Sequence, residues 1–375
     1  MAVVFWTCVV FVVYSYVGYG IALALMSRVR NRPVRRAPIT PSVSFIIAAH
    51  NEAKRITEKI ENTLRQDYPS DRFEIIVASD GSTDATDEIV RSYADRRVRL
   101  IRPDQRRGKE YAQRTAIAAA RGEVLVFSDV ATRLDPDGVR QIVMSFDDPS
   151  VGCVSSVDRM IGSDGRPSGE GGYVRYEMQL RALESRVGSL VGLSGSFFAA
   201  RREVCTPWPV DIPSDFTTVL NAVTRGLRGV SDGNAIGYYT DLADTSKEYS
   251  RKVRTVVRGI SALLTHRALL NPFRFGLFAW QLASHKLFRW IVPFAMAGAL
   301  LANLWLASDS NFYRVLAGFH LAGYGLALLS LRWPTPVLRV WRPVGFLLLA
   351  NASILTAWMR VMQGKTIVVW TPSER

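Results

Sequence analysis

The stretch that decides the fold is Phe73–Asp87, which reads FEIIVASDGSTDATD. Its first part, Phe73–Ser79, is a continuous apolar run, too short for a helix, and it predicts a buried strand. Asp80 then opens a turn, and Thr83 or Asp84 can cap the helix that follows. A carboxylate is thereby placed at the carboxyl end of a strand, where open α/β sheets bind their ligands. The same residues also make an ordinary strand-to-helix turn, so the neighbouring segments decide between a structural and a functional interpretation.

Strands and helices alternate on both sides of this stretch. Further strands are predicted at Val43–Ala49, Arg97–Ile101, Glu123–Ser128, Val151–Val157 and Gly195–Arg201. The alternation predicts an α/β fold with a mostly parallel sheet and right-handed crossovers. Three of the strands are followed by polar residues, namely Asn51-Glu52, Asp80 and Asp129. Because parallel strands end at the same edge of a sheet, we expect these side chains to lie close together.

Two further candidate residues stand at helix starts. Lys109 opens a helix after Gly108, and Asp215 stands at the head of a helix that continues FTTVLNAV. Asp215 has two interpretations. It is either a plain helix N-cap or a general base that accepts a proton.

A glycine-rich loop, Gly162–Gly172, precedes a helix predicted at Tyr173–Val187. The loop lacks the spacing of a dinucleotide-binding fingerprint, so we expect it to be flexible. The helix carries Glu177, Arg181 and Glu184 at i, i+4 and i+7, which predicts ion pairs on its surface. A role of these residues in substrate binding is the alternative.

The helix predicted at about Thr245–Thr265 has a basic stripe. Lys247, Arg251, Arg254 and Arg258 are 4, 3 and 4 residues apart and share one face, with apolar residues on the other. Two interpretations stay open and are compatible. The helix lies on a membrane surface with its basic face toward lipid headgroups, or Arg251 and Arg254 contact a phosphate-bearing ligand.

The amino-terminal segment 1–27 is predicted to be a transmembrane helix. Met1–Met26 contains no charged residue and is long enough to cross a bilayer. A cleaved signal peptide is the weaker alternative, because the basic residues follow the apolar run instead of preceding it. The arginine-rich linker 28–41 places the next domain, residues 42–262, on the cytoplasmic side of the inner membrane.

The carboxyl-terminal third is also predicted to be membrane-associated. An aromatic and basic segment, 263–286, has the composition of an interfacial helix. About three spans follow in 287–375, at Leu287–Leu306, Phe312–Leu331 and Val344–Met362. Four crossings would place the carboxyl-terminal tail on the outer side of the membrane, whereas the basic residues Arg360 and Lys365 favour a tail on the cytoplasmic side. Asn351 and Ser353 interrupt the last apolar run, so a re-entrant segment is the alternative to a span.

Composition excludes several classes of function. The net charge of +14 is compatible with nucleic-acid binding, but arginines beside apolar spans are better explained by membrane orientation and anionic lipid. No nucleic-acid-binding module is present, and no nucleic-acid partner is expected. Cys8, Cys153 and Cys205 have neither metal nor redox spacing and are predicted to be reduced packing residues. The histidines form no HExxH-type box.

Four motifs in order, AAHNE (Ala48–Glu52), EIIVASDGSTD (Glu74–Asp84), RRGK (Arg106–Lys109) and EVLVFSD (Glu123–Asp129), resemble the inverting glycosyltransferases of family 2. SGSFFAARREV and SDF continue the likeness, which covers roughly residues 42–258. Within that family, the bacterial membrane-bound, cellulose-synthase-like branch is the most similar. The resemblance implies a domain of the GT-A type, which binds nucleotide sugars.

The resemblance also implies roles for individual residues. Asn51 and Glu52 would line the nucleoside pocket, Asp80 would hydrogen-bond the base, and Lys109 would lie near the nucleotide. Asp129 matches the first acid of the DxD motif, which holds a divalent cation, magnesium or manganese, on the diphosphate. Asp215 matches the catalytic base, and Arg251 and Arg254 fall where processive members have QxxRW.

This chain departs from the family pattern at three places. Ala131 stands at the second DxD position, so the cation would rest on one carboxylate, water and phosphate. Ser214 replaces the acid that normally precedes the base. RKVRT at Arg251–Thr255 lacks both the glutamine and the tryptophan of QxxRW, which argues against processive polymerisation.

The expected function is therefore transfer of a sugar from a nucleotide donor, with a UDP-sugar favoured over a GDP-sugar. The acceptor would be a saccharide or a lipid-linked molecule in the assembly of a bacterial surface or extracellular polysaccharide. Membrane lipids and the polysaccharide-assembly machinery are the expected partners. A processive synthase that translocates its product is one alternative. A catalytically silent, nucleotide-sensing membrane subunit is the other, because Ala131 and Ser214 depart from the family's acids.

Overall fold

The computed structural model describes residues 1–161, 172–240, 245–333, 335 and 338–364. The chain divides into two compact units. The sheet unit comprises the described residues of 23–243 and 261–278. The helical unit comprises the described residues of 1–22, 244–260 and 279–366. Residues 162–171 of the loop predicted at Gly162–Gly172 and the tail from 365 lie outside the described residues.

The sheet unit is built around one eight-stranded sheet. Its strands are β1 Val43–Ala49, β2 Phe73–Ser79, β3 Val98–Ile101, β4 Val124–Asp129, β5 Arg133–Leu134, β6 Val151–Ile161, β7 Phe197–Arg201 and β8 Arg228–Thr240. Their order in the sheet is β3-β2-β1-β4-β7-β6-β8-β5. The first four are parallel to one another, and β6 and β8 form a second parallel pair. Strand β7 is antiparallel to β4 and β6, and β5 is antiparallel to β8.

The α-helices of the described residues are α1 Ala2–Val13, α2 Tyr19–Val29, α3 Ile56–Leu64, α4 Thr86–Arg91, α5 Lys109–Ala119, α6 Gly138–Met144, α7 Gly172–Val187, α8 Ser214–Thr224, α9 Thr245–Thr265, α10 Pro272–Leu282, α11 Phe288–Leu306, α12 Asn311–Arg332 and α13 Arg342–Met362. In the sheet unit, α3 to α6 follow strands in the predicted alternation. The mostly parallel α/β architecture is therefore confirmed.

The core of the sheet unit lies on β1 and its neighbours. Every residue of β1 is buried. Phe45 and Ile47 of β1 belong to a single apolar cluster with Ile75 of β2 and with Ile56 and Ile60 of α3. Burial of each such side chain contributes about 1.5–3 kcal/mol, which fixes α3 against this half of the sheet.

Some predicted boundaries need correction. Strands β1 and β2 have the predicted ends, whereas β3 and β4 begin one residue later and β4 includes Asp129. Strand β7 begins at Phe197 instead of Gly195, because the residues before it form a loop, and β6 continues to Ile161. Strands β5 and β8 were not predicted.

The prediction of surface ion pairs on α7 is wrong for Glu184, whose side chain is fully buried. Helix α7 lies beside β8, where the Ser231 amide donates to Ser185 Oγ at 3.2 Å. This packing buries one face of the last turns, which includes Glu184, Ser185 and Val187, whereas Arg186 stays exposed. Glu177 and Arg181 are half-buried.

The predicted linker 28–41 packs within the sheet unit, where its backbone carbonyls accept hydrogen bonds. The buried guanidinium of Arg228 donates to the carbonyls of Arg32 and Pro33 at 2.9 and 3.1 Å, and to Asp148 Oδ2 at 3.0 Å. Arg36 forms an ion pair of 3.0 Å with the buried Asp232. The linker arginines therefore have partners on this domain, besides any role in membrane orientation.

The cysteines are all free, as predicted for reduced packing residues. Cys153 and Cys205 are buried, and burial raises the pKa of both thiols well above its usual value. A raised pKa keeps a thiol protonated and unreactive.

Most residues of the long apolar helices belong to the helical unit. Four helical stretches of the described chain are long and apolar enough to cross a membrane: Ala2–Val29, Pro272–Leu306, Asn311–Arg332 and Arg342–Met362. Within the predicted interfacial segment 263–286, α10 has a kink at Gly276 and continues through a π-helical turn into α11. The interfacial position of this segment stays a prediction. Helix α13 is continuous through Asn351 and Ser353, so these residues do not break it.

Candidate active site

The strand register brings the predicted acids to one edge of the sheet. Ala48 of β1 is paired with Ala78 of β2 on one side and with Asp129 of β4 on the other. Asp80 directly follows β2, and Glu52 follows β1 after a two-residue turn. The prediction that Glu52, Asp80 and Asp129 lie at one edge of the sheet is confirmed.

Asp80 is buried, with 1 % of its surface exposed. Its two carboxylate oxygens accept hydrogen bonds from the backbone amides of Arg107 and Gly108, at 3.0 and 2.9 Å. Gly108 has φ of 99°, which favours glycine there. The RRGK segment therefore lies directly against the acid that was predicted to recognise a base.

Asn51 and Glu52 have different surroundings. Asn51 is exposed and has φ of 53°, and its Oδ1 accepts a hydrogen bond of 2.8 Å from the Thr83 amide. Glu52 is buried and forms an ion pair of 2.6 Å with Arg55. Burial raises the pKa of Glu52, although Arg55 acts in the opposite direction. Asn51 is thus available to a ligand from solvent, whereas the Glu52 carboxylate is engaged inside the protein.

Lys109 and Asp129 form the central ion pair of the site. The Nζ of Lys109 lies 2.5 Å from Asp129 Oδ1 and 3.5 Å from the carbonyl oxygen of Gly195. The Lys109 side chain is 13 % exposed and that of Asp129 is 37 % exposed. Burial disfavours the ammonium, but the attraction of Asp129 prevails and raises the pKa of Lys109. Lys109 is therefore a fixed positive charge beside a carboxylate that solvent reaches.

The loop Ser194–Ser196 connects this ion pair to Asp215. The Ser196 carbonyl accepts a hydrogen bond of 3.0 Å from the Asp129 amide. A Cβ placed on Gly195 would lie 3.3 Å from Asp215 Oδ2, so this carboxylate lies against the loop. Lys109 reaches the same glycine through its carbonyl oxygen. Asp129, Lys109 and Asp215 consequently belong to one site.

Asp215 is the second residue of α8, and the N-cap of that helix is Pro213. The interpretation of Asp215 as a plain N-cap is therefore wrong. Its carboxylate is half-buried in the first helical turn, where the helix dipole favours a negative charge. A half-buried carboxylate beside an open acid can accept a proton from a bound alcohol.

Two residues near the site were not predicted. Asp158 of β6 accepts hydrogen bonds from the hydroxyls of Ser194 and Ser196, both at 2.5 Å. Lys59 of α3 is 2 % exposed and donates to Ser128 Oγ and the Thr132 carbonyl, which flank Asp129. Burial lowers the pKa of Lys59 to about 7, against the attraction of Asp129. The sequence signal for Lys59 is its position between Ile56 and Ile60 on the apolar face of α3.

A divalent cation would have one protein carboxylate here. Among the described residues, no group of three or more His, Cys, Asp or Glu side chains is placed to hold a metal. Ala131 offers no ligand, whereas the Asp129 carboxylate is partly open to solvent. Mg²⁺ is commonly held by one or two carboxylates together with substrate phosphates and water. The site therefore fits a cation that is bound together with a diphosphate.

Arg251 and Arg254 lie in the part of α9 that belongs to the helical unit. The predicted helix bounds are confirmed, and Val253, Val257 and Ile260 of its apolar face are buried. The contact of these arginines with a phosphate-bearing ligand stays a prediction.

Comparison with known proteins agrees with this architecture. Residues 44–206 match the model of Glycosyl transferase family 2. The succinoglycan biosynthesis protein ExoO of Rhizobium meliloti is 36 % identical over 128 residues, which are 34 % of this chain and 36 % of that protein. An N-acetylglucosaminyltransferase of Azorhizobium caulinodans is 30 % identical over 179 residues, or 45 % of this chain and 44 % of that protein. The matches thus span less than half the length of these relatives.

A solved structure is similar over nearly the whole chain. The mannosyltransferase PcManGT from Pyrobaculum calidifontis, determined in complex with GDP-Man and Mn²⁺, has a TM-score of 0.76 at 22 % identity. The alignment covers 97 % of this chain and 99 % of that one. This similarity confirms the predicted GT-A-like fold. The match to the family model covers residues 44–206, which are less than half of the chain.

Proposed function

We propose that the protein is a metal-dependent, inverting glycosyltransferase that moves a sugar from a nucleotide donor to a saccharide or lipid-linked acceptor. The observation that carries this proposal is the loop Ser194–Ser196, because it contacts Asp129, Lys109 and Asp215 together. Such a site places Asp129, which would bind the cation on the leaving group, beside Asp215, which would accept the proton of the incoming alcohol.

The donor is a nucleotide sugar, with a UDP-sugar favoured over a GDP-sugar. Asp80 and Asn51 lie at the sheet edge where the base would bind. Lys109 supplies positive charge beside Asp129, and Arg251 and Arg254 are proposed to contact the phosphates. Asp129, together with the diphosphate, would hold magnesium or manganese, and the cation would supply positive charge for the leaving group.

The reaction is a single displacement. The hydroxyl oxygen of the acceptor forms a bond to the anomeric carbon as the bond from that carbon to the diphosphate oxygen breaks. The hydroxyl proton passes to the Asp215 carboxylate, and the nucleoside diphosphate leaves with the electron pair. One displacement inverts the anomeric carbon. General-base catalysis of this kind contributes about 10²–10⁴-fold to the rate.

The proposed setting is the assembly of a bacterial surface or extracellular polysaccharide, at the cytoplasmic face of the inner membrane. Support comes from the four helical stretches able to span a membrane, from the arginines after the first of them, and from the name of the succinoglycan relative. Membership of the cellulose-synthase-like branch belongs to the same proposal. Single addition is favoured over processive synthesis, because RKVRT lacks the residues of QxxRW.

The experiment is a screen of sugar nucleotides for release of free nucleoside diphosphate by the full chain in detergent, with and without Mn²⁺. Asp215→Asn should still bind UDP with metal but transfer about 10²–10⁴-fold more slowly. Asp211→Asn is the matched control, because Asp211 is an exposed acid four residues earlier. Normal transfer by Asp215→Asn would remove this residue from the mechanism. Absence of turnover with every donor would favour a silent nucleotide-sensing subunit, and a ladder of products on a gel would favour a processive synthase.

A further inference from the structure

Helix α3 presents polar side chains to the chain segment that follows Asp129. Lys59 Nζ donates to Ser128 Oγ at 2.7 Å and to the Thr132 carbonyl at 2.6 Å. These two residues stand on either side of Asp129. The turn itself is closed by a hydrogen bond of 3.1 Å from the Thr132 amide to the Asp129 carbonyl. Lys59 thus connects both ends of the turn that carries the proposed metal ligand.

Asn62 continues the same contact one helical turn later. Its side-chain amide donates to the Leu134 carbonyl and accepts from the Leu134 amide, both at 2.9 Å. Just beyond the helix, Gln66 donates to the Asp135 carbonyl at 2.8 Å and accepts from the Val139 amide at 3.0 Å. Lys59, Asn62 and Gln66 are spaced i, i+3 and i+7, so they lie on the same side of α3 and of the residues that follow it. Together they bind the backbone from Thr132 to Val139.

Stability alone does not account for a lysine at this position. Lys59 is buried among apolar residues of α3, and its ammonium lies 5.4 Å from the ring centre of Phe45. Removing a charge from water costs several kcal/mol. A methionine of similar length would fill this space without that cost. A lysine does what methionine cannot, because its ammonium has three hydrogen-bond donors for the oxygens around the Asp129 turn.

We propose that Lys59, supported by Asn62, is a positioning residue that fixes the turn Ser128–Thr132, so that the single carboxylate of Asp129 is held where it can bind a metal-diphosphate. The inference rests on the proposed function, since it deepens the role of Asp129. It also explains how a site that lacks a second acid at Ala131 keeps a defined geometry. Residues that orient a metal ligand through hydrogen bonds typically change metal affinity by about 10- to 100-fold when they are removed.

The test compares Lys59→Met with the wild-type full chain in detergent. Amide hydrogen exchange over residues 128–135 should become about tenfold faster in the variant, while the thermal midpoint stays within about 5 °C. Titration of Mn²⁺ in the presence of UDP should show an affinity about 10- to 100-fold weaker. Arg65→Met, an exposed cation just beyond α3, is the matched control and should change none of these values.

Asn62→Ala provides a second variant in case Lys59→Met does not fold. It leaves the lysine in place and should accelerate exchange of the Leu134 amide about tenfold. Wild-type exchange over 128–135 or wild-type Mn²⁺ affinity in Lys59→Met would overturn the proposal, as would wild-type exchange in Asn62→Ala. If the wild-type protein bound no UDP with Mn²⁺, the proposed function would fail on its own, and the exchange comparison would still decide whether Lys59 fixes the turn.

Discussion

The ammonium nitrogen of Lys109 lies 2.5 Å from Oδ1 of Asp129, so the acid proposed to hold a metal already has a positive partner within the protein. The backbone beside Lys109 also binds Asp80, through the amides of Arg107 and Gly108. One short segment therefore satisfies the carboxylates at the ends of two strands. A cation on Asp129 would compete with the Lys109 ammonium, which makes Lys109 a sensitive position to test.

We expect Lys109→Met to separate metal binding from nucleotide binding. Removal of the ammonium takes a competing cation from Asp129, so the affinity for Mn²⁺ alone should rise by about three- to tenfold. The affinity for UDP should fall by about tenfold, because a charge-assisted hydrogen bond to phosphate is lost. Isothermal titration with Mn²⁺ alone and with UDP measures both effects. Equal changes in the two affinities would contradict this role of Lys109.

Gly195→Ala should slow transfer without unfolding the protein. The added Cβ would lie 3.3 Å from Asp215 Oδ2, so the carboxylate has to move by a few tenths of an ångström. A small displacement of a catalytic group can cost about 10- to 100-fold in kcat. Steady-state kinetics should show this loss with the affinity for UDP unchanged. The control is Gly233→Ala, whose Cβ would meet nothing within 4 Å, and equal kinetics of the two variants would argue against the placement of Asp215.

Gly122→Ala should instead destabilise the sheet unit. Its Cβ would lie 2.4 Å from the backbone nitrogen of Ser44 and 2.7 Å from the carbonyl carbon of Val43. Backbone of a central strand cannot move aside cheaply, so we expect a loss of about 2–3 kcal/mol. The thermal midpoint should fall by roughly 5–10 °C. Gly233→Ala again serves as the control, and an unchanged midpoint for Gly122→Ala would show that this turn yields more easily than its contacts imply.

Stability in acid should depend on Asp148. Burial alone would raise the pKa of this carboxyl, but hydrogen bonds from Ser150, Arg228 and Arg35 prevail and lower it from 3.8 to about 2. Because the folded-state pKa is depressed, the stabilisation is complete above about pH 4 and is lost as the pH falls toward 2. It amounts to about 1–2 kcal/mol.

This effect can be measured with Asp148→Asn. At pH 7 the variant should melt several degrees below wild type, since the buried guanidinium of Arg228 loses its anionic partner. The difference should shrink as the pH is lowered from 4 to 2. Asp147→Asn is the neighbouring control, because Asp147 pairs with the exposed Arg35. A difference that is constant between pH 7 and pH 2 would disagree with the depressed pKa.

The sequence was sufficient for the parts of the fold that local pattern determines. Strands β1 and β2 were predicted to the residue, because each is a short apolar run bounded by turn residues. Strand β8 was missed, since RGVSDGNAIGYYT contains three glycines, an aspartate and an asparagine that locally indicate turns. Its pairing with β6 over most of its length is a tertiary interaction, which overrides these local preferences.

The same distinction applies to the site. Asp80, Asp129 and Asp215 could be predicted, because each stands where a strand ends or a helix begins. Lys59 and Asp158 could not, since each acts on residues that are distant in sequence. Lys59 did leave one signal in the sequence, because it is a charged residue at a core position of an amphipathic helix. Glu184 shows the opposite error: a helical pattern of charged residues was assigned to the surface, although the residue is buried in the structure.

A lone carboxylate at the end of β4 also bears on the order of events in each turnover. With a single carboxylate ligand among the described residues, the cation would bind together with the diphosphate of the donor and would not stay on the protein between turnovers. It would enter as a complex with the donor and depart with the spent nucleotide. The rate of the proposed reaction would then depend on the fraction of the donor that is already bound to magnesium or manganese.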